Sequence, residues 1–209
     1  MPTPILNSSD EMPNEPDTKL PLNIVLVGFM ATGKTTIGRR LARKAGFKFI
    51  DCDHEIEKQQ GMKISEIFSD HGEEHFRQLE AEYLQSLRDK QSLVISTGGG
   101  VVTHEEARKI LPTLGYVVWL HAKKREIHER IMRNTNRPLV RTLDPWKTIK
   151  TLLKQRKPQY KKVAHLKIKT HGLDINETVQ GILDSACYHF ASQRRATEQL
   201  CAESTPNDE

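Results

Sequence analysis

The octapeptide Gly28-Phe29-Met30-Ala31-Thr32-Gly33-Lys34-Thr35 restricts this chain more than any other stretch of it. Alone, the pattern can arise by chance on a glycine-rich turn; its flanks decide the matter. The run Asn23-Ile24-Val25-Leu26-Val27 before it predicts a buried strand. After it, Ile37, Leu41 and Ala45 recur at helical spacing, with Arg39, Arg40, Arg43 and Lys44 on the other faces. Strand, glycine-bounded loop and helix, with Lys-Thr opening the helix, is the setting in which this pattern holds phosphate. Glycines let the backbone curl so that successive N–H groups point inward, and the helix N-terminus adds its positive dipole end. Lys34 is then placed to reach the β- and γ-phosphates of a nucleotide, and the Thr35 hydroxyl to ligate Mg²⁺.

The rest of the chain alternates strands and helices. Strands are predicted over residues 47–51, 92–96, 116–121 and 165–170. Short helices are predicted over 54–60 and 63–69, and a longer one over 73–90 carries Phe76, Leu79, Tyr83 and Leu87 on one face. Thr103 and Glu106 read as a capping box for a helix that Pro112 ends or interrupts. A helix follows over 123–132, and another starts at Pro145 and closes at Pro158. Asp174 and Glu177 cap a last amphipathic helix with Ile175, Val179, Ile182, Leu183 and Ala186 inward. This alternation predicts a parallel sheet covered by helices on both faces, an α/β three-layer domain whose ligands gather at the carboxyl ends of the strands. That rim collects the phosphate loop, the pair Asp51 and Asp53, Gly98-Gly99-Gly100, and a mobile stretch over 133–145.

A chain of 209 residues suffices for one well-cored α/β domain and not for two ordinary ones. The domain is placed at 21–190, between a flexible arm (1–20, with Pro2, Pro4, Pro13 and Pro16) and a disordered polar tail (191–209). No apolar run reaches bilayer length, and the acidic, unhydrophobic first twenty residues match neither a secretory signal nor a transit peptide. Cys52, Cys187 and Cys201, at no metal-like spacing, point to free thiols in a reducing compartment, the cytoplasm. A net charge of +5 suits nucleic acid and small anions equally, so charge alone decides nothing.

Several residues on the rim allow two readings. Asp51 and Asp53 share one side of an extended strand end, where one holds Mg²⁺ and the other orients an acceptor hydroxyl; Asp is also a common helix N-cap. The ligand-bearing edge favours the first. Arg77, with Glu73 four before and Glu80 three after, is either in exposed helix ion pairs or oriented by Glu80 toward a carboxylate. Arg156 falls on the apolar face of its helix, seven residues after Ile149, so it either snorkels outward or meets an anion. Three successive glycines at 98–100 form a simple loop or permit close approach of backbone to ligand. Arg137, beside Pro138, is a solvated loop arginine or one that meets phosphate on closure. His71 and His75 have zinc-like spacing but no third ligand, and Cys52 reads as a packing residue.

The order of phosphate loop, Asp pair, Phe76-Arg77-x-x-Glu80, triple glycine, Arg137-Pro138-Leu139 and Arg156-x-x-x-Tyr160 resembles the shikimate kinase family over residues 23–188. The resemblance implies the P-loop kinase fold of nucleoside-monophosphate kinases: a five-stranded parallel sheet, a substrate-binding insertion near 52–80 and a lid near 132–145. It implies ATP-dependent phosphorylation of the 3-hydroxyl of shikimate, on the route to aromatic amino acids, by a monomer that engages neither nucleic acid nor membrane. By this resemblance Ala31, Thr32, Gly33, Lys34, Thr35 and Thr36 hold ATP, Arg130 packs on the adenine, and Thr35 with Asp51 serves Mg²⁺. Lys34, Asp53 and Arg137 are the catalytic residues, Asp53 on the acceptor hydroxyl and Arg137 descending with the lid. Arg77, Arg156 and the amides of Gly98, Gly99 and Gly100 clamp shikimate.

Three features depart from the family's pattern, one being that the arm and tail have no assignable counterpart. Ala31 stands where a glycine is usual, a methyl expected to have little effect, and residues 170–174 reproduce the usual adenine-side loop poorly. The rival readings are a sister kinase such as a gluconate or nucleoside-monophosphate kinase, and a non-catalytic nucleotide-sensing or nucleic-acid-binding protein. The paired arginines favour a carboxylated polyol over a nucleotide base, and the retention of every candidate catalytic position, with no RNA-binding motif, speaks against the second.

Overall fold

The computed structural model describes residues 23–133, 144–172 and 174–203. The expected arm, Arg137 with most of the expected lid, and residues 204–209 lie outside them. Five strands, β1 (Asn23–Val27), β2 (Lys48–Asp51), β3 (Leu93–Ser96), β4 (Gly115–His121) and β5 (Leu166–Lys169), form one parallel sheet in the order β2-β3-β1-β4-β5. Helices α1 (Lys34–Ala45), α2 (Cys52–Gln60), α3 (Ile64–Gln85), α4 (Glu105–Leu114), α5 (Lys124–Met132), α6 (Pro145–Val163) and α7 (Ile175–Glu203) connect and follow the strands.

Central strands buried on both faces read as unbroken apolar runs, and β1 is one. Its alternate residues serve two cores. Val25 and Val27, with Ile95, Val117 and Trp119, pack beneath Leu84, Leu111 and Tyr160 of α3, α4 and α6. Ile24 and Leu26, with Val94, Val118 and Leu120, meet Ile37 and Leu41 of α1 and Val179, Ile182 and Ala186 of α7. Fully burying one such aliphatic side chain contributes about 1.5–3 kcal/mol. The buried Asn23 closes the opposite end of the sheet: its amide donates to the carbonyls of Lys90 and Leu114, and its oxygen accepts from Leu93 N–H.

Four expectations about the elements need correction. Pro158 does not close α6, which continues to Val163. A proline inside a helix costs about 3 kcal/mol; beyond it lie the buried Tyr160 and Val163, whose packing holds the last turn in place. Thr103 does not cap α4. Residues Val101–Thr103 form a 3₁₀ turn that engages the Thr103 hydroxyl with Gly100 O, and the N-cap is His104. The strand end does not extend through Asp53, because α2 begins at Cys52 and puts Asp53 in its first turn. The tail expected to be disordered from residue 191 is helical as far as Glu203, a stretch of Ala, Gln, Arg, Leu and Glu with no glycine or proline to stop it. The capping of α7 is as expected: Asp174 N–H donates to Glu177 Oε2 and Asn176 N–H to Asp174 Oδ2.

Candidate active site

The phosphate loop leaves β1 at its carboxyl end and turns into α1 through two left-handed residues, Ala31 (φ 60°) and Gly33 (φ 95°). Gly33 is the N-cap, so Lys34 opens the helix. Its ammonium group curls back onto the loop, donating to Gly28 O at 2.8 Å and Phe29 O at 3.1 Å. Thr32 Oγ1 donates to Phe29 O at 2.8 Å. For Ala31 the cost lies in the backbone, since a left-handed non-glycine residue gives up about 1 kcal/mol or more.

Thr35 Oγ1 donates to Asp51 Oδ2 at 2.9 Å. Asp51 is the N-cap of α2 by position, yet its side chain makes no cap hydrogen bond; the carboxylate faces the phosphate loop instead. A cleft of about 640 Å³ brings together Ala31, Thr32, Gly33, Lys34, Thr35 and Thr36, both aspartates and Arg130. Arg130 Nη1 donates to Ala31 O at 3.0 Å. Thr170 and Ile175, flanking the weakly matching loop, also line this cleft.

The triple glycine is required by its neighbours. A Cβ on Gly98 would collide with Glu80 Oε1 and lie 2.8 Å from Asp53 Oδ1. One on Gly99 would come within 3.0 Å of Met30 N in the phosphate loop, and one on Gly100 would collide with the Arg77 guanidinium. The turn after β3 is thus wedged between the nucleotide loop and α3.

Gly72 (φ 84°) kinks α3, and Arg77 follows on its second half, 4% exposed. The guanidinium reaches Glu73 Oε1 through Nε (3.2 Å) and Nη2 (2.7 Å), and Glu80 Oε2 through Nη1. Exposed helix ion pairs are therefore the wrong description, because Glu80 is buried too. Burial pushes the Glu80 carboxyl up to about 7 against the pull of Arg77, with Asp53 pushing the same way as burial. Burial would lower the pKa of Arg77, but the Glu80 and Glu73 carboxylates outweigh it and the guanidinium stays firmly charged.

Arg156 does not snorkel. It is 3% exposed, donates from Nη1 to Gly99 O at 3.1 Å, and lies 5.6 Å from the centroid of the Phe29 ring. Burial, reinforced by the charge of Arg77, lowers its pKa. Its Nε and Glu80 Oε1 are buried with no hydrogen-bond partner among the described residues. A second cleft, of about 690 Å³, has Arg77 and Arg156 in its walls with Glu73, Thr103 and Gln155. A buried unpartnered donor on one of the two guanidinium groups fits an incoming carboxylate.

Tyr160 enters the sequence only as the last residue of the Arg156-x-x-x-Tyr160 motif, with no role attached to it. Tyr160 donates its hydroxyl to Gly99 O at 2.6 Å and stacks on Trp119, with ring centroids 5.6 Å apart. The four-residue spacing from Arg156 puts the two side chains on one helix face because the helix continues past Pro158. The rings of His71 and His75 are 5.1 Å apart, and no group of three or more His, Cys, Asp or Glu able to hold a metal occurs among the described residues. Cys52 is buried and unpaired.

The family model described as shikimate kinase matches residues 30–187. The chain belongs to the shikimate kinase family. A shikimate kinase from Thermodesulfovibrio yellowstonii is 47% identical over 161 residues, covering 77% of this chain and 92% of the relative. Among solved structures, the shikimate kinase from Acinetobacter baumannii in complex with shikimate aligns with a TM-score of 0.74 at 41% identity, over 78% of this chain and 90% of that one. A gluconokinase from Sinorhizobium meliloti aligns with a TM-score of 0.52 at 19% identity, over 90% of this chain and 99% of that one, a likeness of fold alone. The sheet and helices are those of the shikimate kinase fold. No helix among the described residues is long and apolar enough to cross a membrane.

Proposed function

We propose that this shikimate kinase family member transfers the γ-phosphoryl group of ATP to the 3-hydroxyl of shikimate through the residues gathered on the sheet's carboxyl rim. One observation carries the assignment of roles: two buried arginines, Arg77 and Arg156, share a cleft that adjoins the phosphate loop across the glycine turn.

Lys34 and the amides of Ala31 to Thr36 hold the phosphates, with Arg130 on the adenine side. The donors at Thr35 and Asp51 are a hydroxyl and a carboxylate 2.9 Å apart, hard oxygen ligands that suit Mg²⁺. Once bound with the nucleotide, the ion would neutralise charge on the phosphate oxygens. Arg77 and Arg156 take the shikimate carboxylate, helped by the amides of Gly98, Gly99 and Gly100. Asp53 accepts the proton of the acceptor hydroxyl as its oxygen bonds to phosphorus and the bond to the β,γ-bridging oxygen breaks. Arg137, from the lid, completes the phosphate contacts. Segment 52–80 is the acceptor-binding insertion, and the enzyme acts as a cytoplasmic monomer.

A coupled ADP-release assay with Mg-ATP tests this. Shikimate should exceed gluconate and nucleoside monophosphates in kcat/KM by at least about a hundredfold, because a site built to pair polar groups strongly rejects analogues that leave them unpaired. A faster reaction with gluconate or a nucleotide would overturn the assignment.

A further inference from the structure

A third cavity, of about 530 Å³, lies on the other side of α6 from the arginine cleft. The two clefts divide that helix between them: Leu152, Gln155 and Arg156 face one, and Lys150, Leu153, Lys154, Lys157 and Tyr160 face the other. The volume falls in the range of small-molecule sites. Its floor is apolar and largely aromatic, made by Phe29, Trp119, Ile127, Leu153 and Tyr160. Its rim carries Lys123, Lys124, Lys150, Lys154 and Lys157, and no acidic residue lines it among the described residues. None of these five lysines is in an ion pair among the described residues. Like charges gather around an apolar hollow here with no ion-pair partner among the described residues, a local field that favours an anion. His121 also lines the wall, and burial first, then the charges of Lys167, His171, Lys157 and Lys169, of which Lys157 belongs to the rim, hold it below the ordinary histidine range.

We propose that this cavity is a second ligand site, for a small planar aromatic carboxylate whose ring lies on the aromatic floor and whose charge meets the lysine rim. An apolar floor excludes a bare inorganic anion as the best occupant, and the lysine rim disfavours a neutral hydrocarbon; one molecule satisfies both when ring and charge are joined. The site backs onto the catalytic loops. Phe29 O receives the Lys34 and Thr32 hydrogen bonds, and Tyr160 holds Gly99 O. An occupant there touches Phe29 and Thr32 of the nucleotide loop and Tyr160, whose hydroxyl holds the glycine turn.

The test is calorimetric titration of the full chain with naphthalene-2-carboxylate and with its neutral counterpart 2-naphthalenemethanol, each alone and with saturating ADP and shikimate. The expected result is one site per chain, retained when ADP and shikimate are present, and at least about tenfold weaker for the alcohol. The exposed pair Lys154→Glu/Lys157→Glu should weaken the carboxylate at least about tenfold, while the charge-matched pair Lys48→Glu/Lys58→Glu, elsewhere on the surface, leaves it unchanged. The proposal is overturned if no heat is seen up to about 10 mM. It is equally overturned if ADP or shikimate abolishes binding, if carboxylate and alcohol bind alike, or if the two variant pairs behave alike.

Discussion

The Tyr160 hydroxyl and the Arg156 guanidinium both donate to one acceptor, the carbonyl of Gly99, at 2.6 and 3.1 Å. That carbonyl belongs to the turn whose glycines touch Glu80, Asp53, Arg77 and the phosphate loop. One helix, α6, therefore fixes the turn against which both halves of the site are built. In Tyr160→Phe the ring still fills its place beside Trp119, and Gly99 O keeps Arg156 alone. Losing this buried hydrogen bond should cost about 1 kcal/mol of stability. The shikimate KM should rise several-fold, with kcat and the ATP KM nearly unchanged. Steady-state kinetics on both substrates check this, and an equal rise in both KM values would contradict it.

Gly100→Ala tests the fit from the other side. The added methyl would occupy the place of the Arg77 guanidinium, which Glu73 and Glu80 hold in position. Either the turn or the arginine must move. A displaced charge-assisted pair with substrate is worth about 1.5–3 kcal/mol, so kcat/KM for shikimate should fall by roughly ten- to a hundredfold. Thermal unfolding should show only a modest loss. A variant with wild-type kcat/KM would mean that Arg77 does not meet the substrate.

Glu80 sets a pH dependence with a definite sign. Burial raises its carboxyl to about 7 in the fold, above the unfolded value of about 4.3. A group raised in this way contributes its stabilisation below the unfolded pKa and loses it as pH rises through the folded one. Stability from this residue should thus decline between about pH 4.5 and about pH 7 and then level off. Glu80→Gln removes the titration, so urea unfolding of the two proteins at several pH values should show the wild type losing ground to the variant as pH rises across that interval. A difference that grows in the opposite direction would contradict the assignment.

The sequence made the fold legible where periodicity and glycine placement act locally. The phosphate loop declared β1, α1 and the ligand-bearing rim, and alternation of elements declared the parallel sheet. Legibility failed where tertiary contacts overrode local rules. Pro158 reads as a helix end because local chemistry says so; the buried Tyr160 and Val163 keep the helix going. The choice between snorkelling and burial for Arg156 was undecidable from spacing, since both put it on the same helix face. Only its approach to Gly99 O, across 57 positions of sequence, settles it. The triple glycine showed that something came close, but not that the near neighbours were Glu80, Arg77 and Met30.

Asp53→Asn separates the chemical step from binding. Asp53 lines the nucleotide cleft, and its Oδ1 lies near the spot a Gly98 Cβ would take, beside the glycine turn. A general base contributes about 10²–10⁴-fold, and an amide cannot accept the proton. The variant should lose kcat by that order while the shikimate KM changes little, with an unaltered circular-dichroism spectrum. Near-normal kcat would remove Asp53 from the chemical step.

Ala31→Gly asks what the left-handed alanine costs. Holding Ala31 at φ 60° sacrifices about 1–2 kcal/mol relative to glycine, while glycine adds unfolded-chain entropy worth about 0.4–1 kcal/mol. The first effect outweighs the second, so the variant should gain roughly 0.5 kcal/mol, equal to a Tm about 1–2 °C higher in a chain of this size. The Ala31 carbonyl would still receive Arg130, because the conformation that presents it is the one glycine favours. The ATP KM should therefore stay within about twofold of the wild type. A lower Tm would show that the methyl's packing, rather than its backbone, governs this position.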